Sequence, residues 1–78
     1  MTRLERLIEQ IRARPPRARF SDVQVLLEAF GWTLNRERGS HVIFTKPGER
    51  SIVLAKEHGR WVKRIYLDRI CERVGLDE

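Results

Sequence analysis

Between Trp32 and Ala55 the chain is cut twice by turn-forming residues, and these two cuts constrain the fold more than any other feature. Gly39 ends a run in which apolar Trp32 and Leu34 alternate with polar Thr33 and Asn35. Lys46-Pro47-Gly48-Glu49 then sets proline and glycine at the two central positions of a type II turn, where a fixed negative φ is followed by a positive one. Three short segments are left: Trp32–Arg38, Ser40–Thr45 and Arg50–Ala55. Segments of this length, joined by tight turns, pair with their sequence neighbours, so the spacing predicts a three-stranded antiparallel meander.

Helical patterns flank the meander. Thr2-x-x-Glu5 is a capping box, and Leu4, Leu7, Ile8 and Ile11 recur at helical spacing, so a helix is expected over Arg3–Ala13. Pro15-Pro16 stops it, because neither proline can donate the backbone bond a helix needs. Arg14 to Arg19 then reads as an extended connector. Ser21-x-x-Gln24 is a second capping box, with Phe20 and Val25 as a hydrophobic staple, ahead of a helix over Asp22–Phe30 that Gly31 ends. Lys56 to Arg60 reads as a loop, and a last helix is expected over Val62–Val74, closed by Gly75. The expected fold is α+β in the order α-α-β-β-β-α, with the helices on one face of the sheet. Residues 1–19 form an N-terminal helix and connector, and residues 20–78 the main body, the whole being a single small unit of 78 residues.

A chain this short cannot enclose a deep substrate cavity, so its work is expected on an open surface with a large partner. The single cysteine, Cys71, excludes an internal disulfide and a thiolate metal site, and reads as a small packing residue in a reducing, cytoplasmic setting. No apolar run approaches the roughly 20 residues that span a bilayer, and the first residues lack the apolar block of a signal peptide. The formal net charge is +5, and 13 of the 16 basic residues are arginine, whose planar fork suits bidentate phosphate contacts. Arg12, Arg14, Arg17, Arg19, Arg36 and Arg38 crowd the first half, which favours nucleic acid as the partner.

Within that cationic field stands Gly39-Ser40-His41, leading directly into Val42-Ile43-Phe44. Histidine's unperturbed pKa lies near neutrality, so it exchanges protons under cellular conditions. Phe44 is the larger apolar payload; with Val42 and Phe44 turned to the helices, strand alternation turns His41, Ile43 and Thr45 outward. RNA carries its own nucleophile in the 2′-hydroxyl, so a histidine acting as general acid or base among cations can cleave it without a metal or other cofactor. Ser40 and the backbone N–H of Gly39 are candidates to hold a phosphate, as are Arg36, Arg38, Lys46, Arg60 and Lys63. The plainer alternative is that Gly39 makes a turn, Ser40 ends it and His41 is a solvated strand residue.

The remaining candidates keep two readings each. His58 is a second acid–base group or a solvated loop residue. Trp32 either stacks on a base or packs in the core, and core is the favoured reading. Trp61, among Arg60, Lys63 and Arg64, either stacks on a base or packs. No paired carboxylates, no metal-ligand set and no phosphate-binding glycine loop stand out.

The run Phe20-Ser21-Asp22, then Leu26-Leu27-Glu28-Ala29-Phe30-Gly31-Trp32, then Arg36-Glu37-Arg38-Gly39-Ser40-His41-Val42-Ile43-Phe44 resembles the HicA toxin family over about Phe20 to Leu76. The resemblance implies a fold like a double-stranded-RNA-binding domain, metal-independent mRNA cleavage, and inhibition by a HicB-like antitoxin protein. It also implies that His41 is the catalytic histidine. The chain departs from the family pattern at Val42, where many members have a second histidine, and at Leu54-Ala55-Lys56-Glu57-His58, where many have proline and histidine. Two other readings of the same fold stay open: a non-catalytic RNA-binding module and a protein-interaction domain.

Overall fold

Thr2 begins the first helix as its spacing predicts. Its hydroxyl accepts the Glu5 backbone N–H at 3.1 Å and its own N–H donates to the Glu5 carboxylate at 2.9 Å. That charge-assisted bond holds the Glu5 carboxyl below the usual carboxylate range. The computed structural model describes residues 1–77 and starts with this helix, α1 (Arg3–Arg12). Then follow β1 (Arg17–Arg19), α2 (Phe20–Ala29), β2 (Thr33–Arg38), β3 (His41–Thr45), β4 (Ile52–Ala55), β5 (Trp61–Lys63) and α3 (Arg64–Val74).

The meander forms as expected, in the order β2-β3-β4, antiparallel throughout. Gly39 takes φ +60° at the first position of a two-residue loop closed by the Arg38–His41 pair. The positive φ demanded of Gly48 is present at +79°, and the Glu49 N–H closes the turn onto the Lys46 carbonyl at 3.0 Å. From α2 through the three strands to α3 the order is α-β-β-β-α, the arrangement of a double-stranded-RNA-binding domain.

Two short strands depart from expectation. Arg17–Arg19 and Trp61–Lys63, assigned from sequence to a connector and to the edge of the last helix, pair as a separate antiparallel ribbon with Ala18 opposite Val62. The ribbon moves both helix starts. In α2 the helix begins at Phe20, two residues earlier than the Ser21 capping box requires, and that box does not form. The Phe20 N–H instead donates to the Arg60 carbonyl at 2.7 Å. At α3 the Arg64 N–H donates to the Pro16 carbonyl at 3.1 Å. Each helix thus satisfies its first donor with a backbone carbonyl from the opposite arm of the ribbon, where isolated helices use a side-chain cap.

One hydrophobic cluster joins all the layers. Val42 and Phe44 of β3 and Ile52 and Leu54 of β4 meet Val23, Leu26 and Leu27 of α2 and Leu67, Ile70 and Cys71 of α3. Trp32 is buried in the same cluster, as its sequence position suggests. The α1 helix packs chiefly on α2 and α3, burying Leu7 and Ile11. Cys71 is free and buried; its thiol lies 3.8 Å from the Ile11 carbonyl, and burial pushes its pKa up.

Arg14 has a local role that its place in the arginine-rich stretch did not suggest. It sits at φ +54°, and its guanidinium donates to Asp68 and to Asp77, both at 2.7 Å. Hydrogen bonding from Arg14 holds the Asp77 carboxyl below its ordinary range. Arg14 therefore ties the connector to α3 and is not free for a nucleic-acid phosphate.

Candidate functional site

The face of the meander away from the helices is open. Strand register fixes what stands on it, because residues directly opposite each other in an antiparallel pair share a face. Val42 and Phe44 are wholly buried, so His41, Ile43 and Thr45 point the other way, and His41 is exposed. On one side His41 pairs with Ala55, and Ile43 with Val53. On the other side His41 pairs with Arg38, and Ile43 with Arg36.

The arginines reach that face because of a β-bulge. Leu34 pairs with Phe44, but the next pair along is Arg36 with Ile43, which leaves Asn35 as an extra residue. Simple alternation from the half-buried, inward Leu34 would send Arg36 and Arg38 to the helix side. The extra residue reverses the parity, so both arginines join His41 and Ile43 outside. Glu37 is correspondingly displaced toward the other side, where its carboxylate meets the Lys56 ammonium. Lys56 lies 4.9 Å over the Phe20 ring, and Phe20 in turn lies 6.2 Å from Phe44. The Lys56 N–H also donates to the Ser40 carbonyl at 2.7 Å, which pins the turn that presents His41.

Among the candidates read from the sequence, Gly39, Ser40, His41, Arg36 and Arg38 thus share one end of the open sheet, all exposed. A Cβ built on Gly39 would meet nothing within 4 Å, so its backbone is open to an approaching group. The other three stand elsewhere. Lys46 turns to the end of α2, where its ammonium donates to the Phe30 carbonyl at 2.9 Å and its stem crosses Gly31. It completes the C-terminus of that helix, as cations there do. Lys63 lies on the ribbon, 3.2 Å from the Glu57 carboxylate. Arg60 is exposed at the tip of the preceding loop, beside Gly59. His58 also sits in that loop, exposed and at φ +53°, with no link to the His41 row in the register of the sheet.

Among the described residues, no three or more His, Cys, Asp or Glu side chains are grouped to hold a metal ion. No helix among them is long and apolar enough to cross a membrane.

A family model for the HicA toxin of bacterial toxin–antitoxin systems matches residues 20–76. The chain belongs to the HicA toxin family. It is a toxin component by that membership. No curated protein and no solved structure matches the chain. The matched span opens at the first residue of α2 and closes two residues from the end, so α1 and β1 lie outside the family's shared body while β5 lies within it.

Lys56, beside the site, escaped the sequence analysis, and so did the strand that carries Arg17 and Arg19. Lys56 had no signal beyond its charge; its part in holding the Ser40 turn follows only from the pairing of β3 with β4. Arg17 and Arg19 do show a period-2 pattern around Ala18, but three residues are too few to identify a strand without its partner.

Proposed function

We propose that this HicA-family member is a type II toxin that cleaves mRNA in the cytoplasm, without a metal, with the strand histidine His41 as its general acid/base group. The observation that carries the reading is the bulge at Asn35, which sets Arg36 and Arg38 on the same face as the exposed imidazole. A neutral imidazole takes the proton of a 2′-hydroxyl. The freed oxygen attacks the adjacent phosphorus, and the 5′-oxygen leaves, taking a proton from solvent. The products are a 2′,3′-cyclic phosphate and a 5′-hydroxyl end. Guanidinium groups stay charged throughout, so Arg38 and Arg36 act on the phosphorane's developing negative charge and not as proton donors. Gly39 and Ser40 offer a backbone N–H and a hydroxyl to the same phosphate. Half-buried Ile43 and exposed Val53, in the neighbouring row, give the flanking base an apolar floor.

The protein partner in this reading is a HicB-like antitoxin that covers the open face. The test uses a short RNA cut by the wild type, with EDTA present. His41→Ala is expected to lower cleavage by about 10²–10⁴-fold, the usual contribution of a positioned acid–base group. Its melting temperature should not move, because the ring makes no core contact. A substrate with a single 2′-deoxy nucleotide at the cut should resist the wild type. Equal cleavage by the variant removes His41 from the chemistry. RNA binding with no product from either protein leaves a binding module.

A further inference from the structure

The β1–β5 ribbon carries a second cationic surface that the His41 site does not use. Its inner positions are Ala18 and Val62, both buried. Its outer positions are Arg17, Arg19, Trp61 and Lys63, with Arg17 opposite Lys63 and Arg19 opposite Trp61. The Arg17 guanidinium lies 4.1 Å from the centre of the Trp61 ring, and that of Arg19 lies 5.6 Å from it. Among the described residues no carboxylate comes within 4.0 Å of either arginine, whereas Lys63 has Glu57. Glu57 offsets the charge of Lys63, which leaves the two arginines as the uncompensated cations of this face.

We propose that this ribbon face is a second RNA-contact surface, on which Trp61 holds the Arg17 and Arg19 guanidinium groups to take successive phosphates of a single strand running past the His41 site. The proposal rests on the ribonuclease reading above. The two arginines are two residues apart on one strand face, about 6.8 Å, close to the spacing of neighbouring phosphates in an extended single strand. Stacking on an indole keeps a guanidinium flat and leaves its N–H edge free for phosphate and its outer plane free for a base. The ribbon is a separate sheet, but a short run of chain joins it to the partner strand of His41. Ala55, the partner of His41, is followed by Lys56, bonded to Ser40, and by Glu57, which bridges to Trp61. A shallow concavity of about 200 Å³ is lined by Ala55, the register partner of His41, and by Lys63 of the ribbon.

Arg17 and Arg19 precede the family-matched span, whereas Trp61 and Lys63 lie within it. The test is done in the 78-residue His41→Ala protein, so that RNA is bound and not cut. A fluorescently labelled single-stranded RNA spanning the cut site is titrated at several salt concentrations. Arg17→Ala/Arg19→Ala should weaken binding at least tenfold and flatten the plot of log affinity against log salt by about 1.4, at about 0.7 for each single-strand phosphate released. Arg6→Ala/Arg12→Ala, which removes equal charge from α1, should leave the slope in place. Arg17→Lys/Arg19→Lys should recover the slope but not the full affinity, since an ammonium does not stack as a plane. An unchanged slope in the first variant, or the same change in the α1 control, overturns the ribbon. So does a first variant that binds RNA as its parent does but loses an acidic protein partner. A parent that binds no RNA brings down the nuclease reading and the ribbon with it; a parent that binds, matched by the ribbon variant, brings down the ribbon alone.

Discussion

Neighbouring residues of β3 face opposite environments and answer to opposite demands. Val42 and Phe44 are wholly buried against the helices, while His41 is exposed and Ile43 only half covered. The inward pair supplies burial energy and tolerates no polar atom. The outward pair contributes little to stability and is free to carry chemistry. The same strand therefore separates stability from function at a spacing of one residue. A substitution on one face should move one measurement and leave the other still.

The largest effect is expected from the inward face. Phe44→Ala removes a ring that packs on Phe20 and fills the space between the sheet and α2. Its cost should be about 3–5 kcal/mol. For a 78-residue chain, whose whole stability is on the order of 4–12 kcal/mol, that removes most of it. Chemical denaturation should show the midpoint collapse. Where the variant still folds, in stabilising osmolyte or at low temperature, its RNA cleavage should approach wild type. A folded Phe44→Ala protein with cleavage as low as His41→Ala would mean that the two faces are not separable.

The two faces also differ in how plainly the sequence announces them. Burial left a clear pattern: Gly39 and Pro47-Gly48 bound β3, and the size of Phe44 set its parity, so the orientation of His41 followed from alternation alone. The bulge left no such pattern. Asn35 keeps a negative φ, so no glycine was needed to build it, and its side chain is one that any exposed strand position accepts. Alternation without the bulge would have put Arg36 and Arg38 on the wrong side. The ribbon was hidden for a different reason. Its two arms lie more than forty residues apart and are three residues each, below the length at which periodicity distinguishes a strand from a connector. Its effect on the helix starts was equally out of reach, because the Ser21 capping box is a sound local signal that a distant carbonyl overrides. Lys46 and Arg14 show the same limit for charge: both read as surface cations, and both are consumed by contacts to α2 and α3 that only tertiary packing creates.

Moving residues between the faces tests the comparison directly. Arg36→Glu/Glu37→Arg exchanges two neighbours of β2 that stand on opposite faces. The exchange sets a carboxylate on the imidazole's face and takes from Lys56 its carboxylate partner. A carboxylate beside the phosphorane opposes its charge. Cleavage should fall at least about tenfold, equivalent to about 1.4 kcal/mol in the barrier, with His41 itself untouched. Stability should fall less than in Phe44→Ala, since both exchanged side chains can reach solvent along the edge strand. Full cleavage by the exchanged variant would show that the face on which the charge stands does not matter.

The smallest effects come from one chemical change made on each face in turn. Val42 and Val53 stand on adjacent strands, in adjacent rows of the register, with opposite parity. Val42 is fully buried and Val53 is 43% exposed. Replacing either with threonine keeps the β-branched shape and the strand preference, so the swap isolates the cost of burying one hydroxyl. At Val42 the new hydroxyl lies among apolar side chains and must either go unpaired or distort the strand to reach a carbonyl. The cost of an unpaired buried hydroxyl is about 1–3 kcal/mol. At Val53 the hydroxyl meets water, and the change should stay within about 0.5 kcal/mol. Urea denaturation of the two variants, fitted with a common slope, measures the difference. Similar losses from both would mean that the face carrying Val53 is covered in solution, and that the sheet that carries His41 is not the open surface on which the proposed chemistry depends.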